Sequence, residues 1–180
     1  MRVIAGELRG RPLLAPRGWR VRPTPDRVRE AIFSALGDVG GARVLELYCG
    51  TGALSIEALS RGAAAATLVD RDTRAALGNV RNLGLDDRAE LVRSDVLRWL
   101  ESGPAERFDL VFLDPPYRLA DRLGPALDKH LPGLLAEEGR VIAESAARRP
   151  LELRSLVPLR ERRYGATEVD FFALPAERRT

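Results

Sequence analysis

Four consecutive residues, Asp114-Pro115-Pro116-Tyr117, follow directly on the apolar run Leu110-Val111-Phe112-Leu113. A short apolar run ending in a proline turn predicts a buried strand that delivers a rigid polar loop. Each proline fixes its own φ and restricts the residue before it, so Asp114 and the Pro115 carbonyl are held in a preset, extended geometry. A carboxylate, a carbonyl and an aromatic face then converge at the carboxyl end of a strand, where open α/β sheets place their ligands. The set suits a planar heterocycle bearing an NH2 group. The amine donates to Asp114 and to the Pro115 carbonyl while the ring stacks on Tyr117, a contact worth about 1–3 kcal/mol per base. Alone, the same residues also describe a strand end followed by a proline turn, so a second ligand site must decide.

Three upstream positions supply one. Gly50-Thr51-Gly52 follows the apolar run Val44-Leu45-Glu46-Leu47-Tyr48. Glycines there allow a tight turn and a close backbone approach, and the next helix offers free N–H groups. The turn departs from the dinucleotide fingerprint, because Ser55 stands in place of the third glycine. Asp70, closing a second apolar run, is suited to both hydroxyls of a ribose. Asp95, after a third, is placed either to hold the exocyclic amine of an adenine or to cap the helix it precedes. Together these positions suit an adenosine and need no phosphate.

The elements that must position these residues alternate regularly. Strands are predicted over 44–48, 65–70, 89–93, 110–113 and 139–144, with helices over 53–60, 73–83, 96–101 and 118–129. This pattern predicts an α/β fold of Rossmann-like type, a mostly parallel twisted sheet with helices on both faces. Residues 153–163 and 167–173 read as a C-terminal antiparallel hairpin about Tyr164-Gly165. Thr24-Pro25 opens an earlier helix, with Thr24 as its cap, Val28, Ile32, Phe33 and Leu36 on its apolar face, and Gly37 at its end. Residues 1–22 form a basic N-terminal arm or hairpin preceding a domain over 23–180. Trp19 in that arm either stacks on bases or packs the arm on the body.

The chain has 180 residues and a net charge of +3, enough for one domain with a full core. The charge is segregated. Residues 1–30 hold eight arginines against Glu7, Asp26 and Glu30, and residues 148–163 hold six against Glu152 and Glu161, whereas the stretch between is acidic. Basic ends flanking an acidic middle suggest a polyanionic partner. One cysteine, Cys49, and one histidine, His130, exclude an intrachain disulfide and a zinc site built from several such residues. His130 stands before Leu131-Pro132-Gly133, read as a helix end. No apolar run spans a bilayer and the N-terminus lacks the apolar core of a signal peptide, so a cytoplasmic protein is expected, without membrane association.

The turn from Glu46 to Gly52, Asp70, Asp95 and the Asp114-Pro115-Pro116-Tyr117 loop resemble those of S-adenosylmethionine-dependent amino-methyltransferases. Arg22-Pro23-Thr24-Pro25-Asp26-Arg27-Val28-Arg29-Glu30-Ala31, Glu57-Ala58-Leu59-Ser60-Arg61-Gly62-Ala63 and Tyr164-Gly165 resemble the RsmD-type family, with Glu46 standing where Asp is usual and Thr51 where Ser is usual. The resemblance covers nearly the whole chain. It implies a class I methyltransferase that methylates a guanine N2 in bacterial small-subunit (16S) ribosomal RNA, with S-adenosyl-L-methionine as cofactor. It further implies Glu46, Gly50 and Gly52 at the methionine and ribose part, Asp70 at the ribose, Asp95 at the adenine, and Asp26 and Arg27 closing over the methionine end. Asp114 and Pro115 then hold the guanine amine, and Tyr117 stacks on the flipped base beside Pro116. The segregated charge, apart from the resemblance, suggests that the basic arm grips substrate phosphates, with Arg20 and Arg22 as contacts. No metal is needed, and a monomer acting on ribosomal RNA, naked or within an assembled subunit, is expected. With an ordinary pKa of about 3.9, Asp114 is expected to be ionised at neutral pH unless desolvation is severe. An adenine-N6 methyltransferase, a non-catalytic nucleic-acid-binding protein on the same core and a dinucleotide oxidoreductase remain as alternatives, and cofactor binding separates the last two from the first.

Overall fold

The computed structural model describes residues 1–15, 24–115, 120–147 and 151–176. Arg20, Arg22, Pro116 and Tyr117, like Trp19, lie outside the described residues. The elements run α1 (Asp26–Leu36), β1 (Arg43–Leu47), α2 (Ala53–Ser60), β2 (Ala65–Asp70), α3 (Arg74–Leu83), β3 (Ala89–Arg93), α4 (Val96–Glu101), β4 (Phe108–Leu113), α5 (Ala120–Leu134), β5 (Leu135–Ala146), β6 (Val157–Tyr164) and β7 (Thr167–Ala173). They build one seven-stranded sheet ordered β3-β2-β1-β4-β5-β7-β6. β1 to β5 are parallel, and β7 is antiparallel to both β5 and β6. The chain starts at the middle of the sheet, winds outward to β3 and then returns to β4. β1 and β4 are therefore neighbours at a topological switch point, where a crevice opens beyond the strand ends.

Alternation along the strands divides the core in two. Val44, Leu68, Phe112, Ile142, Val169 and Phe171 pack with α1, α2 and α3 on one face. Leu45, Leu47, Val111, Val141 and Phe172 pack with α4 and α5 on the other.

Two expected boundaries are corrected. Pro25, not Thr24, holds the N-cap position of α1, and no side chain caps that helix. The Thr24 hydroxyl instead donates to Glu144 Oε2 at 2.7 Å. The helix end expected at Leu131-Pro132-Gly133 is absent, because α5 continues through Pro125 and Pro132 to Leu134. A proline inside a helix leaves the carbonyl four residues earlier without its donor. For Pro132 that carbonyl belongs to Asp128, and it accepts from Ser155 Oγ at 2.7 Å.

Residues 1–15 are docked on α2 and α3, with Val3 and Leu13 buried. Glu57 accepts from the amides of Ile4 at 2.7 Å and Ala5 at 3.0 Å. The Ser60 hydroxyl donates to the Ala5 carbonyl at 2.6 Å, and Asn79 exchanges hydrogen bonds with the backbone of Leu14. A side chain at Gly6 would place its Cβ 1.8 Å from the Ser60 carbonyl oxygen, and the residue's φ is +81°.

Candidate active site

The turn after β1 is built from unusual backbone. Tyr48 has φ 61°, the only non-glycine residue with positive φ among those described, and Gly50 and Gly52 have φ 53° and 73°. At Gly52 a Cβ would lie 2.7 Å from Leu68 Cδ2, so the left-handed conformation and the close approach both require glycine. The helix that follows holds Glu46 in place, because the Ser55 amide donates to Glu46 Oε2 at 2.8 Å. Ser55, which broke the dinucleotide pattern, thereby anchors the acid of the same turn. Glu46 is buried, and its desolvation pushes its pKa up to about 7 against the pull of the Ser55 amide and of Arg29.

Asp70 ends β2 beside this turn. It accepts from Gly50 N at 3.0 Å through one oxygen and from Asp72 N at 3.0 Å through the other. The carboxylate is thus oriented by backbone, and each oxygen retains a lone pair for a further donor. Asp95 caps α4 by accepting from Arg98 N at 3.1 Å, and its other oxygen pairs with Arg71. Its pKa is lowered, first by that capping amide. The capping alternative is therefore the one on display. Tyr48 feels the charge of both acids, and its buried hydroxyl has no partner among the described residues. Desolvation, followed by the charge of Asp95, pushes that hydroxyl up to about 12.

Asp114 stands one residue past the end of β4, on the same face of the sheet as Phe112 and Glu46. The last β4–β5 pair is Leu113 with Ala143, so Asp114 is level with Glu144. Burial, then Glu144, then Glu46 raise the Asp114 pKa well above the ordinary carboxylate range. The expected ionisation of Asp114 is therefore opposed: desolvation and two like charges disfavour the charged form.

Asp26 pairs with the buried guanidinium of Arg29 at 2.9 Å and with Arg2 at 3.9 Å, whereas Arg27 is exposed. Arg29 also donates to the Arg2 carbonyl, while its buried Nε and Nη1 have no partners among the described residues. Burial lowers its pKa, and Asp26, Glu57 and Glu46 oppose that shift. Cys49 is buried and its thiol pushed far up by desolvation, so it is no nucleophile. Among the described residues no cluster of His, Cys, Asp and Glu is arranged to hold a metal. A cavity of about 400 Å³ lies at the opposite, amino ends of β1 to β3, lined by Arg43, Ala65 and Glu90. It contains none of these groups.

Sequence reasoning missed Tyr48, Arg29, Thr24 and Glu144. Two carried a signal: Arg29 interrupts the apolar face beside Val28 and Ile32, and Glu144 closes the apolar run Val141-Ile142-Ala143. A charge inside an apolar stretch is expensive unless it is partnered.

The family described as conserved hypothetical protein 95 matches residues 1–173. YlbH of Bacillus subtilis (strain 168) is 37% identical over 182 residues, 96% of this chain and 98% of that protein. The ribosomal RNA small subunit methyltransferase D of Escherichia coli (strain K12) is 37% identical over 150 residues, 81% of this chain and 74% of that protein. The solved structure of yhhF from Escherichia coli superimposes with a TM-score of 0.83 at 33% identity, over 98% of both chains. With the acidic glycine turn at the β1–β4 switch point and a carboxylate at the end of β4, the chain belongs to this family and is an RsmD-type methyltransferase.

Proposed function

We propose that this protein transfers a methyl group from S-adenosyl-L-methionine to the exocyclic N2 amine of a guanine in small-subunit ribosomal RNA, acting in the bacterial cytoplasm. The observation that carries the reading is Asp114, held at the end of β4 next to the β1 turn, a carboxyl group poised for an aromatic amine. The residues of the turn fit an S-adenosyl group. Asp70 keeps acceptor capacity on both oxygens for ribose hydroxyls, and the Tyr48 hydroxyl, within the electrostatic reach of Asp70 and Asp95, has no partner among the described residues. Glu46 supplies a buried carboxyl group for the methionine end, with Asp26 and Arg27 at the start of α1 closing over it.

The bound cofactor supplies an electrophilic methyl on a sulfonium, so this chain needs to furnish no metal. Asp114 and the Pro115 carbonyl accept the two amine hydrogens and turn the nitrogen lone pair toward the methyl. Tyr117 holds the ring by stacking, with Pro116 restricting the loop. As nitrogen gains the methyl group it sheds a proton, and Asp114, with its raised pKa, is matched to accept it. Orientation and preset acceptors supply most of the rate. Exchange of the Asp95–Arg71 pair for an adenine amine would complete the adenosine pocket.

The test is methyl transfer from labelled cofactor to 16S ribosomal RNA and to small subunits lacking the modification, followed by nucleoside analysis. Label in N2-methylguanosine is expected. Label in N6-methyladenosine would move the activity to the adenine alternative, and no transfer to either substrate would overturn the proposal.

A further inference from the structure

We infer that one face of the β6–β7 hairpin, the face turned to the same side as Asp114, is a surface for the RNA backbone flanking the target base, with Arg160 and Arg162 as its phosphate contacts. The inference rests on the proposed function and adds where the RNA strand runs.

β6 is the last strand of the sheet, and residues 157–163 are exposed. Register fixes which way its side chains go. Arg162 pairs with Val169, which pairs with Glu144; Arg160 pairs with Phe171, which pairs with Ile142. Directly paired residues share a face. Val169, Phe171 and Ile142 all belong to the core on the α1–α3 side, the side of Phe112 and hence of Asp114. The alternate residues face the other way. There Glu161 pairs with Asp170 and Arg163 with Glu168. On that second face burial, and after it the charges of Glu168 and Glu161, pushes Asp170 up to about 6.

The hairpin therefore sorts its charges by strand alternation into a face with Arg160 and Arg162 and a face where Glu161, Glu168 and Asp170 outnumber Arg163. A polyanion is attracted to the first and repelled by the second. Arg160 and Arg162 have no carboxylate partner among the described residues, so their charge is available. The geometry is also right. β6 runs parallel to β4, which places Arg162 toward the carboxyl end of the sheet, and three strand spacings separate the two, about 14 Å. An RNA strand presenting its base to Asp114 passes over β5 and β7 and meets Arg162 a few nucleotides away. Exposed Leu159 at the bulge adds apolar contact.

The test is the salt dependence of binding to unmethylated 16S ribosomal RNA, measured for the parent chain, for Arg160→Ala with Arg162→Ala, and for Arg163→Ala on the acidic face. The double variant is expected to bind more weakly and to flatten the log–log salt slope by about 1.4, since each lost single-strand phosphate contact removes about 0.7. Its thermal stability and cofactor affinity should match the parent, and Arg163→Ala should retain the parent slope. A parental slope in the double variant, with methyl transfer by the parent chain intact, overturns this inference and leaves the proposed function standing. An equal loss in Arg163→Ala overturns the assignment of faces. Failure of the parent chain to bind or methylate the RNA overturns both readings.

Discussion

A carboxyl group that must be ionised to work, placed where ionisation is costly, leaves a trace in pH dependence. Ionisation of Asp114 is disfavoured because it is desolvated and because Glu144 and Glu46 act on it as like charges. Turnover is accordingly expected to rise with pH as Asp114 ionises. Glu144→Gln removes the like charge with the larger effect on Asp114 while preserving an acceptor for Thr24, so it should move the acid limb of the kcat/KM profile to lower pH. An unmoved limb would mean that Asp114 does not titrate in the rate-determining state. Glu46 gives a second trace, in stability. Its folded pKa of about 7 lies above its ordinary 4.5, so the protonated form is favoured by folding. That contribution is fully present below about pH 4.5 and is lost as pH rises through about 7. Glu46→Gln keeps an oxygen for the Ser55 amide and cannot ionise. Its cofactor-free melting temperature should exceed the parent's at pH 8, by on the order of 1–3 kcal/mol of stability, and converge with it near pH 5. A larger benefit at pH 5 would overturn this account.

At the scale of elements, local rules predicted most of the chain, and the exceptions have named partners. The boundaries of α2, β2, β3 and α4 agree with periodicity and glycine placement, because in these segments local preference and tertiary packing coincide. α5 is different. Its proline-glycine sequence reads as a stop, yet the orphaned Asp128 carbonyl finds Ser155, and the Asp128 carboxylate accepts the Ser155 amide at 2.8 Å. Ser155→Ala should therefore destabilise the fold by about 1 kcal/mol, since it leaves a part-buried acceptor without its partner. In a Pro132→Ala background the helix amide can take over that carbonyl, so Ser155→Ala should cost less there. A double-mutant cycle in denaturant reads the coupling directly, and strict additivity would contradict it. β5 likewise begins at once after α5, because Gly139 lets it pass close to β4; a Cβ there would lie 2.8 Å from the Phe108 carbonyl oxygen.

For the whole molecule, the N-terminal segment matters as part of the body. Glu57, Ser60, Asn79 and Arg29 all bind its backbone. Arg29 links that docking to Asp26 at the start of α1 and, through charge, to Glu46 in the turn. Gly6→Ala should undock the segment, since it strains a positive φ and drives a methyl into the Ser60 carbonyl. A loss of more than about 2 kcal/mol is expected, together with faster hydrogen exchange at Ile4 and Ala5. Unchanged exchange would show that the segment tolerates the intrusion. The alternation of strands and helices, the glycine turn, the proline loop and the segregated charge are legible before folding, because each is written in the spacing of neighbours along the chain. Long-range packing instead raises the Asp114 pKa, turns Thr24 to Glu144 rather than to α1, buries Arg29, and sets which arginines of β6 share the face of Asp114. These depend on pairs far apart in the chain, such as Thr24 and Glu144, and on burial and register that exist only once the sheet has assembled.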